Sequence, residues 1–216
     1  MPTTETATSI RAVLWDFGGV ILSSPFDAFN EYERERGLPI DFIRSVNATN
    51  PDTNAWALIE RQEVEADTFD QLFAEESAAL GHRIPGGDVL AMLSGAVRPE
   101  MVQALERVIA AGYVTACLTN NVRDPDSRGA RPEVRAVMEL FDHVIESSEV
   151  GCRKPESRFY ELACETAGVP PEACVFLDDL GINLKPARAM GMTTIKVVQP
   201  ERAIDDLEAV LGLTLR

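Results

Sequence analysis

No apolar run in this 216-residue chain approaches the roughly 20 residues that a membrane-crossing helix needs. The opening residues, MPTTETATSIRAV, carry no basic stretch ahead of an apolar one, so a secretory signal is not expected. Positive charge is scarce: Lys plus Arg number 20 against 35 Asp plus Glu, a formal net charge of −15. That balance opposes nucleic acid and anionic membranes as partners. It leaves room for a small phosphorylated substrate, because a local site can be positive inside a negative field. The four cysteines, Cys117, Cys152, Cys164 and Cys174, form no C-x-x-C pair, so zinc is not indicated. They read as reduced thiols of a cytoplasmic protein, with Cys117 and Cys174 as small hydrophobes inside apolar runs. Internal repeats and low-complexity tracts are absent. Histidine is limited to His82 and His143, both remote in sequence from the residues singled out below and read as structural.

What is present is ordinary for a globular protein: 45% hydrophobic and 25% charged residues. The length corresponds to about 1.4 domain equivalents, which fits one domain carrying a sizeable insertion. Five short apolar runs, at 12–15, 113–118, 143–145, 174–177 and 193–198, read as buried strands. Helical patterns at 99–111, 132–140, 156–167 and 184–190 separate the later ones, and Gly112, Gly168 and Gly191 stop three of them. Strand and helix alternating in this way predict an α/β fold with a parallel sheet. Residues 23–95 break the rhythm. Apolar positions fall at helical spacing in FDAFNEYERERG, NAWALIERQ, ADTFDQLFAEESAAL and GDVLAMLSG, predicting four helices inserted after the first strand. Phe26, Phe29, Trp56, Leu58 and Phe69 are their expected core. The polar loop 122–132 reads as a surface excursion.

Ligands bind at the carboxyl ends of the strands in open parallel sheets. The residues just after each apolar run are therefore the informative ones: Asp16-Phe-Gly18-Gly, then Thr119-Asn120-Asn121, then the stretch ending Lys154-Pro155, then Asp178-Asp179. Taken singly, each is an ordinary turn, cap or surface residue. Together, four strand ends deliver three carboxylates, a hydroxyl with amides, and a lysine to one edge. Clustered carboxylates raise one another's pKa, and a hard divalent cation such as Mg²⁺, which takes oxygen ligands, resolves the conflict. An aspartate beside a metal and a lysine is a nucleophile suited to phosphorus. Thr119 and Asn120 can donate hydrogen bonds to an oxyanion.

The segments VLWDFGGVIL, CLTNN, CRKPESRFYELA and VFLDDLGINLKPARAMGMTTI resemble the four motifs of the haloacid-dehalogenase-like (HAD) hydrolase superfamily. The resemblance covers the whole chain and is nearest to the amino-terminal phosphatase domain of soluble epoxide hydrolase and related bacterial phosphatases. It implies a Rossmann-like core, 1–22 with 96–216, and a helical cap, 23–95. It implies Mg²⁺ held by Asp16, the Gly18 carbonyl and Asp179, with Asp178 in support. Asp16 would form a phosphoaspartyl intermediate, Thr119 and Asn120 would hold the phosphoryl group, and Lys154 would stabilise its charge. Asn183 lies where the family often has a polar residue.

One departure stands out. The family's usual first motif is Asp-x-Asp, and its second Asp serves as general acid and base; here that position is Gly18. A branch of phosphatases in the superfamily shares this glycine. The missing group is worth about 10²–10⁴-fold where it operates. Glu60 and Glu63 are the candidates for a replacement from the insertion, against a plainer reading as solvated helix faces. Three functions stay open: a phosphohydrolase of a small metabolite, a 2-haloacid dehalogenase, and a catalytically silent phosphate-binding protein. The pair Asp178-Asp179 favours the first. The substrate and the oligomeric state are not legible.

Overall fold

The computed structural model describes residues 9–93, 95–122 and 131–216. Most of the loop predicted at 122–132 and the leading residues 1–8 lie outside the described residues.

Five strands form the sheet among the described residues. β1 is Ala12–Trp15, β2 Val114–Thr119, β3 His143–Glu146, β4 Cys174–Asp178 and β5 Thr193–Lys196. All pair in parallel, in the spatial order β3-β2-β1-β4-β5. This is a Rossmann-like, doubly wound arrangement. Alternation within β1 explains the layering. Val13 and Trp15 face α6 (Pro99–Ala110), α7 (Pro132–Met138) and α11 (Pro200–Leu211), whose buried residues include Leu105, Val137 and Leu207. Ala12 and Leu14 face α9 (Ser157–Ala167) and α10 (Gly181–Ala189) through Phe159, Tyr160 and Leu184. A strand buried on both faces must be apolar at every position, which is why AVLW runs without a polar break.

The predicted elements are present with shifted ends. β2 extends to Thr119, and β5 stops at Lys196, so Val198 is exposed. α10 begins at Gly181, three residues before the predicted start. Asp178 Oδ1 accepts the Leu180 N–H at 2.8 Å and turns the chain there, a contact invisible to periodicity. A short helix α8 (Ser147–Val150) and the terminal α11 were not foreseen, although Pro200 at the first turn is an ordinary helix opener.

Within residues 23–95 the described residues hold five α-helices, not four: α1 (Phe26–Arg36), α2 (Phe42–Ala48), α3 (Ala55–Glu60), α4 (Ala66–Ala79) and α5 (Gly86–Ala91). α2 escapes a local reading because its start is made by a distant side chain. The buried Glu33 carboxylate accepts the N–H groups of Asp41 and Ile43, both at 2.8 Å. These helices share a hydrophobic cluster separate from those on the sheet, including Phe29, Phe42, Ile43, Phe69 and Phe73, with Phe26 and Trp56 packed at its edge. Leu58 is half-buried outside that cluster, and its neighbour Ile59 takes the inward place. The segment leaves and rejoins the core through adjacent connections: Ser23 N–H donates to Ala96 O and Arg98 N–H to Ile21 O. His82 packs edge-on against Phe42, and His143 opens β3, so both predicted bystanders sit away from the carboxyl edge. The four cysteines are unpaired and buried. No helix among the described residues is long and apolar enough to cross a membrane.

Candidate active site

The sheet brings Asp16, Thr119, Asn120, Lys154, Asp178 and Asp179 to its carboxyl edge, beside the point where strand order reverses. β1 pairs with β2 on one side and β4 on the other, so Asp16 and the Asp178–Asp179 pair stand at the ends of adjacent strands. One oxygen from each of Asp16, Asp178 and Asp179 falls within 4.8 Å of the others.

Lys154 is 2% exposed and lies between two of these carboxylates. Its Nζ is 2.6 Å from Asp16 Oδ1 and 2.9 Å from Asp178 Oδ2. Those anions hold its pKa above the ordinary lysine value despite burial, so it remains a cation. Burial pushes the Asp16 pKa well up. Lys154 pulls it back, and Asp178 and Asp179 push it up further. Asp179, also desolvated and beside Asp178, is raised to about 6. Ionising all three carboxylates against one ammonium would leave an excess of two negative charges at the edge, which adds to burial in pushing up the Asp16 and Asp179 pKa values. The edge is electrostatically unfinished, and a divalent cation is the complement that fits it.

The two neighbouring aspartates differ in environment. Asp178 is fully buried, and its oxygens are engaged by Lys154, by the Leu180 N–H and by Asn183 Nδ2, which is 3.1 Å from both. Asn183 is held in turn by Tyr160, whose hydroxyl donates to its carbonyl at 2.7 Å. The position expected to be polar therefore anchors Asp178. Asp179 is only partly buried and is the more available oxygen donor of the pair.

After Asp16 the chain makes a wide turn over Phe17–Ile21, closed by Leu22 N–H to Phe17 O at 2.8 Å. Asp16 Oδ1 accepts the Phe17 N–H at 2.6 Å. Gly18 is exposed with φ −72°, ψ 128°, and a Cβ there would meet nothing within 4 Å. Position 18 therefore tolerates a side chain. Gly19 does not: its φ is +82°, and a Cβ would stand 2.2 Å from Asp179 Oδ2. Sequence reasoning passed over Gly19, although the Gly-Gly pair was the available signal. It also passed over Arg98, whose Nη1 donates to the Gly19 carbonyl at 2.7 Å and steadies this turn.

Thr119 is buried at the end of β2. The Asn120 side chain is directed elsewhere than at an oxyanion. Its Nδ2 donates to Lys154 O, and its Oδ1 accepts Lys154 N–H, both at 2.9 Å, while Nδ2 also lies 3.2 Å from Glu60 Oε2. The Asn120 side chain is thus committed to Lys154 and Glu60. Of the two glutamates considered from the insertion, Glu63 is exposed and pairs with Arg61 at 2.5 Å. Glu60 is buried, contrary to its expected place on a solvated face.

The chain belongs to the haloacid dehalogenase-like hydrolase family, which it matches over residues 10–191. It is 31% identical over 191 residues to a phosphatase from Mycobacterium tuberculosis (strain CDC 1551 / Oshkosh), covering 85% of each protein. It is 32% identical to acyl-CoA dehydrogenase family member 10 of Mus musculus over 96% of this chain, and 31% identical to bifunctional epoxide hydrolase 2 of Mus musculus over 94%. The chain spans only 20% and 39% of the length of those two relatives. Among solved structures, a HAD family enzyme from Bacteroides thetaiotaomicron in complex with magnesium and inorganic phosphate superposes with TM-score 0.56 at 19% identity, covering 87% of this chain and 94% of that one. An L-2-haloacid dehalogenase from Xanthobacter autotrophicus superposes with TM-score 0.58 at 18% identity, covering 96% of this chain and 84% of that one.

Proposed function

We propose that this hydrolase is a Mg²⁺-dependent phosphohydrolase of a small phosphorylated metabolite, working through a phosphoaspartyl intermediate on Asp16. The observation that carries the reading is the buried Lys154 bridging Asp16 and Asp178, with Asp179 completing a carboxylate cluster that one lysine cannot neutralise. The phosphatase relative and the magnesium–phosphate complex of a fold neighbour support it. Asp16, Asp179 and the Gly18 carbonyl would hold Mg²⁺, and Asp178 would orient Lys154 from behind. The ion supplies charge neutralisation at the phosphoryl group.

The chain's own groups account for the rest. Asp16 attacks phosphorus, expelling the alcohol, and water then hydrolyses the acyl phosphate and regenerates the carboxylate. Lys154 and the Thr119 hydroxyl stabilise charge on the transferring oxygens. Residues 23–95 act as the cap that shields this edge from bulk water and shapes the substrate's entry. Free, buried thiols fit a reducing, cytoplasmic setting. Gly18 cannot move a proton, and Glu60 is a poor stand-in, because both its oxygens already accept from other donors. Leaving groups that depart without protonation are therefore favoured: aryl, acyl and anomeric sugar phosphates over simple alkyl phosphates.

A panel of phosphorylated metabolites assayed with Mg²⁺ and with chelator tests the reading. Mg²⁺-dependent release of phosphate, with acid-quench trapping of phosphate on Asp16, is the expected result. The missing carboxylate at position 18 favours a second reading, a 2-haloacid dehalogenase. Release of halide from 2-chloropropionate with no metal requirement would establish that reading instead.

A further inference from the structure

Outside the strand ends, two buried carboxylates lie among the described residues, Glu33 and Glu60. Glu33 caps the start of α2 and is spent within the insertion. Glu60, at the end of α3, faces the other way. Its Oε1 accepts the Trp56 indole N–H at 2.9 Å, one turn back on the same helix, which fixes its rotamer. Its Oε2 meets two groups of the core: Asn120 Nδ2 at 3.2 Å and Arg153 Nε, as an ion pair, at 2.5 Å. Both lead to Lys154. Arg153 is its sequence neighbour and also donates to Pro51 O at 3.0 Å, and Asn120 pairs with both the N–H and the carbonyl of Lys154.

The orientation of the Asn120 amide follows from this arrangement. Its two Nδ2 protons are divided between Lys154 O and Glu60, and its Oδ1 takes the Lys154 N–H. Reversing the amide would set Oδ1 against the Glu60 carboxylate and the Lys154 carbonyl, two acceptors. The Lys154 N–H and carbonyl already select this orientation, and Glu60 reinforces it by accepting the second Nδ2 proton, tying the Asn120 clamp on the Lys154 main chain to the insertion. Burial pushes the Glu60 pKa up, and Arg153 and Trp56 only partly offset that rise.

We propose that Glu60 is a positioning residue through which the helical insertion, acting on Asn120 and Arg153, sets the main chain of Lys154 and so the reach of its ammonium into the carboxylate cluster. Seating the insertion and placing Lys154 are then one event. The catalytic consequence rests on the phosphohydrolase reading, but the structural coupling does not.

Two measurements test it. The first is steady-state kinetics with p-nitrophenyl phosphate and Mg²⁺ on Glu60→Ala, Glu60→Gln, Asn120→Ala and the double variant Glu60→Ala/Asn120→Ala. Misplacement of a catalytic group by a fraction of an ångström predicts a fall in kcat of about tenfold to 100-fold with a much smaller change in KM. Glu60→Gln, which keeps the volume and one acceptor, is expected to fall between Ala and wild type. The double variant is expected to lose little more than the worse single one, because both act along one path. The second is hydrogen exchange at the Lys154 amide without substrate or metal, expected to quicken in Glu60→Ala and Glu60→Gln while β1 amides stay protected. This arm holds even if no phosphate ester is turned over, an outcome that removes the phosphohydrolase reading alone. Unchanged exchange at Lys154, or additive losses in kcat, overturns the proposal. So does a lowered melting temperature with unaltered kcat per folded molecule. If Glu60→Ala does not fold, Glu60→Gln carries both arms.

Discussion

Arg153 and Lys154 are adjacent in sequence, yet they serve opposite sides of the site. Lys154 reaches into the sheet edge between Asp16 and Asp178, and Arg153 reaches out to Glu60 and Pro51 of the insertion. The two ends of the comparison are built on different terms. The sheet edge holds an excess of negative charge and uses one lysine to keep it partly balanced. The insertion side is balanced, one arginine against one glutamate, and wrapped by neutral donors. An unbalanced buried cluster is costly to keep without a ligand, whereas a charge-balanced ion pair serves to hold parts in place. Chemistry is therefore expected at the first and registration at the second.

The largest effect should come from the sheet edge. Asp16→Asn keeps the shape but removes the nucleophile, so turnover should fall below the few per cent that a contaminant could supply. Acid-quench labelling should find no phosphorylated residue. Appreciable activity in a clean preparation rejects covalent catalysis through Asp16.

Lys154→Ala comes next. The loss of one electrostatic contact in an enclosed site predicts a fall in kcat of about 10²–10³-fold. The variant leaves Asp16 and Asp178 buried with their partner gone, and breaking such pairs costs about 3–5 kcal/mol. A large drop in chemical-denaturation stability should therefore accompany the kinetic loss. Because Asp16 and Asp178 raise the Lys154 pKa, no deprotonation of this lysine should appear in the alkaline limb of the activity profile.

Gly18→Asp and Gly19→Ala sharpen the comparison within one turn. The backbone at position 18 is extended and unobstructed, so the aspartate should fold in, and alkyl phosphate turnover should rise toward the roughly 10²-fold lower end of general acid catalysis. Aryl phosphates should gain less. Ala at position 19 would run into Asp179 with φ +82° and should weaken both stability and metal binding. A gain at neither substrate in a folded, Mg²⁺-binding Gly18→Asp variant shows that the proton is supplied elsewhere.

The smallest effect expected is in thermal stability. In the metal-free protein Asp179 has a pKa of about 6, above its ordinary value of 3.8. The folded state therefore favours the protonated form. Its contribution to stability is full below about pH 4 and is lost as pH rises through 6. Asp179→Asn should raise the metal-free Tm by a few degrees at pH 7 and leave it nearly unchanged at pH 4. The same variant should abolish most of the stabilisation that Mg²⁺ gives the wild type. Equal Mg²⁺ shifts in both proteins would mean that Asp179 is not a ligand.

Much of this was written locally. A strand buried on both faces must be continuously apolar, so β1, β2 and β4 stand out as short runs, and polar residues immediately after them fall at the carboxyl edge by construction. Asp16, Lys154, Asp178 and Asp179 were legible for that reason. Gly19 was not singled out, because its requirement arises from Asp179, which is 160 positions away in the chain and beside it in space. α2 was invisible because its cap, Glu33, belongs to another helix. Glu60 looked like a solvated helix residue because its spacing says nothing of what packs against α3. The chain by itself determined the alternation of strands and helices, since local burial dictates residue type. Which carboxylates are isolated, which are paired, and which lysine and arginine answer them was decided only when separate segments met, because electrostatic partnership depends on distance in space rather than on position in the chain.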